Sequence, residues 1–237
     1  FTVPALRELS RIFPEAEIVL YTKRGLEGLF ADADFIDGIV TFDKTGSKIK
    51  QTMSQADALG DGEYDLAVLL PNSFESALTA RLARIPRRIG YNKDLRGLLL
   101  TDPIAVPEWK EKRHEVFYYL NLIARAEHRY LSRSTVGDGE IDSFLPVSDE
   151  RRESARRMLS GAGADLSRPL VALGAGSTNS MAKRWGTDKF AELNDRLSLR
   201  AEHGARDLVV VEGAAGAGKT TRLRARGRAL EATGSWM

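Results

Sequence analysis

The segment YDLAVLLPNSFESALTARLARIPRRIGY, residues 64–91, carries the clearest fold signal in the sequence. Its first seven residues are apolar enough for a strand that is buried on both faces. Asn72, with Glu75 three residues later, is a suitable N-cap for the helix that follows. The apolar face of this helix consists of Phe74, Ala77, Leu78, Leu82 and Ile85. Residues 87–91 predict the next strand, so the segment is a βαβ unit of a parallel sheet.

The same alternation of strands and helices extends in both directions. Strands are predicted at 17–22 and 37–42, and helices around 3–13, 26–30, 48–59 and 114–127. Residues 1–131 are therefore predicted to form a Rossmann-like, doubly wound parallel-sheet domain. Turn-forming residues dominate 132–148, which predicts a linker. A charged helix at 149–160, apolar strands at 170–176 and 207–211, and a helix near 187–200 indicate the start of a second α/β unit over 149–200.

Composition narrows the class of protein. With 43% hydrophobic and 29% charged residues, the 237-residue chain is typical of soluble globular proteins. The net charge of +2 gives no global field that would attract nucleic acid. Cysteine is absent, which excludes disulfides and thiolate metal sites and is consistent with a reducing compartment. The three histidines lie far apart in the sequence, so no metal site is predicted.

The chain lacks a recognisable membrane or export signal. No apolar run approaches the roughly 20 residues that span a bilayer, and no basic-then-apolar leader is present. Because the sequence begins at Phe1 without an initiator methionine and enters a helix at once, we expect its natural start to lie upstream.

Three stretches together resemble the bacterial lipopolysaccharide heptosyltransferases, glycosyltransferase family 9, of the heptosyltransferase II type. The first is VPALRELSRIFPEAEI (3–18). The second is LLPNSFESALTARLARIPRRIGY (69–91), followed by RGLLLTDPI (96–104) and RHEVFYYLNLIA (113–124). The third is LGAGSTNSMAKRWGTDKFAEL (173–193). Their order and spacing are those of the family, and the resemblance covers residues 1 to about 197.

This resemblance implies a GT-B architecture, in which two Rossmann-like domains face each other across a cleft. The amino-terminal domain would hold a lipid-linked core oligosaccharide acceptor, and the carboxy-terminal one an ADP-heptose donor. The implied reaction is an inverting, metal-independent displacement without a cofactor, in which a carboxylate acts as general base. It also implies a cytoplasmic protein that associates peripherally with the inner membrane, and nucleic acid is not an expected partner.

The chain departs from the family pattern at both ends. The family's first strand and the Asp proposed as general base would lie upstream of Phe1, so no catalytic residue is assigned within residues 1–237. The later D-[ST]-G-x-x-H segment is not found, and a complete second domain would need about a hundred more residues. We therefore expect a truncated second unit and little or no transferase turnover from these residues alone.

Donor-binding residues are predicted in the turn after the strand at 170–176. Ser177 and Thr178 offer hydroxyl and backbone N–H groups to an anion. Lys183 takes the role of the family lysine beside the donor phosphates, with Arg184 next to it. The alternative interpretation is a solvated basic pair at a helix start.

Acceptor-binding residues are predicted at Asn72 and Ser73. They follow a strand at its carboxyl end, where open α/β sheets bind ligands. The alternative is a plain helix cap. Residues 86–88 are interpreted as a solvated basic loop rather than a phosphate contact, and His114 as a helix N-terminal residue.

The carboxy-terminal residues 201–237 contain a second motif. GAAGAGKT, residues 213–220, matches the phosphate-loop pattern and follows a β-branched strand. Gly213 and Gly218 would let the backbone surround a phosphate, Lys219 would reach the β- and γ-phosphates, and Thr220 would ligate Mg²⁺ of bound Mg-ATP. This stretch resembles the ATP-binding loop of helicase domains in conjugative relaxases. Only 17 residues follow Thr220, too few for a Walker B strand, so ATP hydrolysis is not expected.

Three interpretations of the whole chain stay open at this point. The favoured one is a heptosyltransferase-type glycosyltransferase joined to a short tail of foreign origin. In the second, the chain is an ATP-binding fragment related to DNA-processing helicases. The tail itself has an alternative interpretation, in which residues 207–216 are simply the second βα unit of the donor domain. The third is a folded remnant without a ligand, in which a missing strand leaves a sheet edge uncovered.

Overall fold

The computed structural model describes residues 1–43, 47–137, 139, 141–167, 170 and 186–202. The chain divides into two compact units, Phe1–Val147 and Ser148–Met237.

The first unit alternates helices and strands as the sequence predicts. Its helices are α1 Val3–Ile12, α2 Glu27–Phe30, α3 Lys48–Gly60, α4 Phe74–Leu82 and α5 Glu115–Leu131, with a 3₁₀ helix, η1, at Arg96–Leu99. Its strands are β1 Val19–Lys23, β2 Gly38–Phe42, β3 Leu66–Leu69, β4 Arg87–Tyr91 and β5 Asp102–Ile104. The short elements η1 and β5 were not predicted, because three or four residues carry too little periodicity.

The strands form two parallel sheets instead of the single predicted one. One sheet pairs β1 with β2, and the other has the order β3-β4-β5. Within the described residues no ladder joins β1 to β3. The two sheets nevertheless share apolar layers, because Tyr21 of β1 and Leu69 of β3 pack against one cluster, and Leu20 and Leu70 against another. They therefore lie side by side between common helices.

The N-cap of helix α4 lies one residue after the predicted N-cap. Ser73, not Asn72, is the N-cap, and its hydroxyl accepts a hydrogen bond from the Ser76 N–H. The Asn72 side chain instead donates to the Tyr118 hydroxyl at 3.0 Å. The local pattern predicted that Asn72 caps the helix, but its side-chain amide bonds to a residue 46 positions away in the sequence.

The buried face of α4 agrees with the predicted one at Ala77 and Ile85 and differs from it at Phe74 and Leu82. Ala77 and Ala80 are buried, whereas Phe74 and Leu82 keep 46% and 47% of their surface exposed. The small residues let α4 pack closely on α3, and Ala56, Leu59, Ala80, Ala83 and Ile85 form the shared cluster. Apolar periodicity identified the helix, but it favoured the larger side chains as the inner face, and close helix packing selected the smaller ones.

Helix α5 supplies the core on the opposite side of the sheet. Tyr118, Leu122 and Ala126 pack on Ile89 and Tyr91 of β4. The helix continues to Leu131 and is followed by Ser132 in a left-handed conformation, so it ends four residues later than predicted.

Glu127 of α5 secures the start of the segment predicted as a linker. Its fully buried carboxylate accepts hydrogen bonds from the Thr135 N–H at 2.7 Å, the Thr135 hydroxyl at 2.5 Å and the Val136 N–H at 2.9 Å. These residues therefore follow α5 in a fixed conformation.

The second unit is described in part. Its helices are α6 Asp149–Gly161 and α7 Thr187–Glu202, close to the predicted helices. The predicted strands at 170–176 and 207–211 lie outside the described residues, apart from Leu170. Over the described ranges, no helix is long and apolar enough to cross a bilayer.

Candidate functional site

The candidate site lies where β3 and β4 end. Asn72 and Ser73 follow β3, and Asn92 follows β4, so parallel pairing brings these residues to one edge of the sheet. Open α/β sheets bind ligands at the carboxyl ends of their strands.

Arg96 is the centre of this edge. Its side chain is fully buried, and its Nε donates to the Tyr91 carbonyl oxygen at 2.7 Å. Nη1 donates to the Pro71 carbonyl, and Nη2 lies 3.4 Å from Asn72 Oδ1. Weaker contacts of Nη1 reach the Ser73 carbonyl and the Ser76 hydroxyl. One guanidinium therefore connects the segment after β3 to the end of β4.

The positive charge of Arg96 has no ion-pair partner in the part of the chain that the structure describes. Carbonyl and amide oxygens surround it, and burial lowers its pKa from the usual arginine value. Arginine stays protonated in proteins nonetheless. The edge of the sheet therefore carries a fixed positive charge.

Two glycines make room for this arrangement. A Cβ at Gly90 would lie 2.8 Å from Arg96 Nη2, and one at Gly97 would lie 2.3 Å from Asn92 Oδ1. A residue without a side chain is thus required beside the guanidinium at position 90 and beside Asn92 at position 97.

Two stacked tyrosines support Asn72 from below. The rings of Tyr91 and Tyr118 lie 4.0 Å apart at 18°. The Tyr91 hydroxyl donates to the Tyr118 carbonyl at 2.7 Å and accepts from Asn121 Nδ2 at 2.7 Å. Burial raises the pKa of both tyrosines, so they remain neutral near pH 7. Asn72 is therefore fixed through the Tyr118 hydroxyl on one side and Arg96 on the other.

A flanking cation lies near the same ring. Lys110 Nζ is 5.1 Å from the centroid of the Tyr118 ring and forms ion pairs with Glu111 and Glu115. Nearby, His114 caps α5, since its Nδ1 accepts from the Val116 N–H at 3.3 Å. The interpretation of His114 as a helix N-terminal residue is confirmed.

The predicted acceptor residues Asn72 and Ser73 are adjacent and accessible at this edge. Asn72 is half-buried and Ser73 exposed. Arg87 and Arg88 lie at the opposite, amino end of β4, and Arg88 Nε donates to the Leu99 carbonyl at 2.8 Å. Residues 86–88 are thus remote from the candidate site.

The other predicted site residues lie outside the described residues. They are the donor residues Ser177, Thr178, Lys183 and Arg184, and Gly213, Gly218, Lys219 and Thr220 of the phosphate-loop motif. In the described ranges, no three His, Asp or Glu side chains are grouped so that they could hold a metal ion.

Local sequence patterns do not single out Arg96. An arginine next to exposed leucines is ordinarily solvated. Its burial depends on carbonyl groups of residues 71 and 91, which only the folded sheet brings together. The surrounding glycines, Gly90 and Gly97, were the available signal.

A sequence model described as Glycosyltransferase family 9 (heptosyltransferase) matches residues 52–227. Lipopolysaccharide heptosyltransferase 2 of Salmonella typhimurium is 30% identical over 144 residues, which cover 59% of this chain and 39% of that relative. The chain thus matches well under half the length of this curated relative.

Two solved structures share the fold. The structure of Escherichia coli ADP-heptose LPS heptosyltransferase II has a TM-score of 0.70 at 23% identity, covering 90% of this chain and 60% of that one. A family 9 glycosyl transferase from Veillonella parvula also reaches 0.70, at 21% identity, with 90% and 58% covered. The predicted α/β fold of GT-B type is confirmed.

Proposed function

The chain belongs to glycosyltransferase family 9, the heptosyltransferases, and we propose that it is part of an enzyme that transfers heptose from ADP-heptose to the lipopolysaccharide inner core. It is proposed to form the acceptor side and part of the donor side of that enzyme. The reaction is proposed to be inverting and metal-independent, and to take place at the cytoplasmic face of the inner membrane. We further propose that the carboxylate acting as general base comes from outside residues 1–237.

The observation that carries this proposal is the edge around Arg96. Asn72, Ser73 and Asn92 are accessible polar residues there, and Tyr118 and Arg96 hold Asn72 in one orientation. A fixed amide and a hydroxyl suit the hydroxyl groups of a sugar, since little rotamer freedom is lost on binding. The positive charge of Arg96, without a carboxylate partner in the described ranges, favours an acceptor that carries anionic groups.

The donor side rests on the family and on the sequence. Ser177, Thr178, Lys183 and Arg184 are proposed to bind the phosphates of ADP-heptose. Lys183 would contribute most, because a leaving diphosphate gains negative charge as the glycosidic bond breaks.

The phosphate-loop motif is better explained within the same enzyme. The family match runs to residue 227 and so includes Gly213–Thr220, beyond the point near 197 where the resemblance was expected to end. This supports the interpretation of 207–216 as a second βα unit of the donor domain over a tail of foreign origin. Binding of Mg-ATP at Lys219 becomes the competing outcome of the experiment.

The test is a thermal-shift titration with ADP, with and without Mg²⁺. Wild type is compared with Lys183→Ala, Lys219→Ala and, as a matched control, Lys189→Ala, an exposed lysine of α7. At a hundredfold excess over Kd, ADP is expected to raise Tm by about 5 °C or more.

The outcomes separate the two sites. The proposal expects a metal-independent shift that disappears in Lys183→Ala alone. A shift that needs Mg²⁺ and disappears in Lys219→Ala would assign nucleotide binding to the phosphate loop instead. No shift in wild type at millimolar ADP would remove the donor half of the proposal.

A further inference from the structure

The segment that follows α5 was predicted to be a linker, yet it is bound to the first unit near both of its ends. We call residues 133–145 the strap; the structure describes all of it except residues 138 and 140. Side chains of α1 and α5, two helices that pack against each other, supply both anchors of the strap. The strap therefore belongs to the first unit, in agreement with the division of the chain after Val147.

The first anchor holds the start of the strap. The Glu127 carboxylate accepts the hydrogen bonds from Thr135 and Val136 described above. Arg11 Nη2 also donates to the Thr135 hydroxyl at 3.0 Å. Because the side chain of Glu127 is fully buried, breaking this anchor would leave a buried charge without its donors, which is costly. The start of the strap is therefore its fixed end.

The second anchor is Arg7 of α1, which holds the end of the strap. Its Nη2 donates to the Phe144 carbonyl oxygen at 2.9 Å, and its Nε forms an ion pair with Asp142 Oδ2 at 3.3 Å. The same guanidinium lies 4.5 Å from the centroid of the Phe35 ring, and its Nη1 forms an ion pair with Asp34 Oδ1 at 3.4 Å. One side chain thus joins α1, the segment between α2 and β2, and the end of the strap.

The contacts of Arg7 make the second anchor easier to open than the first. Arg7 Nε is closed to solvent, yet its contact with Asp142 lacks the geometry of a hydrogen bond. The side chain of Asp142 is 56% exposed, so water can replace the guanidinium there, and ion pairs of this kind contribute little stability. If the strap leaves, Asp34 and Phe35 still contact the guanidinium. Opening at Arg7 therefore leaves no buried charge without a partner.

Packing holds the middle of the strap only weakly. A cavity of about 360 Å³ is lined by Pro4 and Glu8 of α1 and by Gly137 and Gly139 of the strap, among other residues. A Cβ added at either glycine would meet no atom within 4 Å. The position of this part of the strap therefore depends on the two anchors.

The second anchor also determines how closely the first unit holds the chain that enters α6. Leu145, the last residue of the strap, packs against the apolar cluster that contains Phe35. Only residues 146–147 separate it from Ser148, the N-cap of α6. The connection between the core of the first unit and α6 is therefore much shorter than the predicted linker 132–148.

We propose that the strap has two states, closed as in the structure and open, and that Arg7 is the point of release. In the open state, Glu127 keeps the start of the strap in place while the connection to α6 lengthens from 146–147 to 141–147. The reach of a flexible chain grows roughly as the square root of its length, so opening lengthens the reach of this connection about twofold.

The two states have a use in catalysis, and this step rests on the proposed function. The proposed acceptor residues Asn72 and Ser73 precede the strap in the sequence, and the proposed donor residue Lys183 follows it. Transfer requires both sets at one pair of sugars, whereas release of the products requires them to separate. The short connection favours transfer, and the long one favours release.

The experiment measures distances between two spin labels by double electron–electron resonance in the full 237-residue chain. The sequence contains no cysteine, so Ser54→Cys/Ser143→Cys places labels at two positions only, one on α3 and one on the strap. A second pair, Ser54→Cys/His128→Cys, has both labels on helices of the first unit. All three positions are exposed. The first pair reports on the strap, and the second on the integrity of the unit.

Both pairs are measured with Arg7 intact, in Arg7→Met and in a matched control. Methionine keeps much of the apolar contact of the arginine stem and removes its charge and donors. The control is Arg24→Met, because Arg24 also forms an ion pair, with Asp43, but does not contact the strap.

The expected result is a narrow Ser54–Ser143 distance distribution when Arg7 is intact. Arg7→Met should broaden it about twofold and leave the Ser54–His128 distribution unchanged. Arg24→Met should change neither. Added salt should broaden the Ser54–Ser143 distribution when Arg7 is intact, because it screens the half-exposed ion pair with Asp142.

Three results would overturn the proposal. The Ser54–Ser143 distribution could already be broad with Arg7 intact, or it could stay narrow in Arg7→Met. Alternatively, Arg7→Met could broaden both pairs, which would show that Arg7 stabilises the whole unit and does not release the strap. Because neither donor nor acceptor is present, failure here is distinguishable from failure of the proposed function, which the dependence of ADP binding on Lys183 tests separately.

Discussion

Removing the buried guanidinium of Arg96 should be among the most destabilising single changes in the first unit. The informative variant is Arg96→Met, which keeps much of the side-chain volume and deletes the donors. Two strong hydrogen bonds disappear, from Nε to the Tyr91 carbonyl and from Nη1 to the Pro71 carbonyl. The Tyr91 oxygen loses a charged donor in the buried interior, and the Pro71 oxygen loses one in a partly buried position.

The magnitude follows from these two bonds. A hydrogen bond to a charged group contributes about 1.5–3 kcal/mol net of desolvation, so two of them predict a loss of roughly 3–6 kcal/mol. The three contacts at 3.4–3.5 Å are too long to add substantially. Relief of the buried charge favours the lower end, and we expect about 3 kcal/mol.

The assay is equilibrium urea unfolding followed by far-ultraviolet circular dichroism. Arg81→Met, an exposed arginine of α4, is the matched control and should stay within about 0.5 kcal/mol of wild type. Arg96→Lys keeps the charge and at most part of the bonding, so it should lie between Arg96→Met and wild type. If Arg96→Met unfolds with the same midpoint and slope as wild type, the bonds of Arg96 do not hold the edge of the sheet together.

Two further predictions concern the packing of the same unit. Gly90→Ala should lower the free energy of unfolding by about 1–3 kcal/mol, because the new methyl group would lie 2.8 Å from Arg96 Nη2 and 3.2 Å from the Leu69 Cβ. The control is Gly137→Ala, where nothing lies within 4 Å of the new methyl group. A Tm of Gly90→Ala no lower than that of the control would contradict the prediction. Glu127→Gln tests acid stability: desolvation opposes the charged form, but hydrogen bonds from Thr135 and Val136 outweigh it and lower the pKa of Glu127 in the folded state. The carboxylate therefore stabilises the fold above its unfolded pKa, and this contribution is lost as the pH falls through the folded pKa. Glu127→Gln should accordingly lower Tm at neutral pH and flatten its fall in acid, and a Tm that falls in parallel with wild type would argue against the role of this carboxylate.

Local sequence patterns predicted most of the secondary structure. The strand at 87–91 was predicted with its observed ends, and the helices beginning at Lys48, Asp149 and Thr187 were predicted at their observed first residues. These elements have a clear apolar period or charge pattern, and neighbouring residues alone determine it. The family, too, could be identified from the quoted stretches, because residue identity and order survive without coordinates.

Features that depend on contacts between distant residues could not be predicted from the sequence. Whether Asn72 or Ser73 caps α4 depends on Tyr118, and whether alanines or leucines form its inner face depends on how closely α3 approaches. Strand pairing was predicted as one sheet, but pairing is decided by hydrogen bonds between segments, and none joins β1 to β3 within the described part of the chain.

The elements, their order and the family therefore follow from local sequence, since they depend on neighbouring residues and on residue identity. The burial of Arg96 was decided only by the tertiary structure. Its carbonyl acceptors follow β3 and end β4, and its cost of desolvation is offset only when both strands are in place. Neither condition is visible in the local sequence, because the sequence neighbours of an arginine do not determine whether it is buried or solvated.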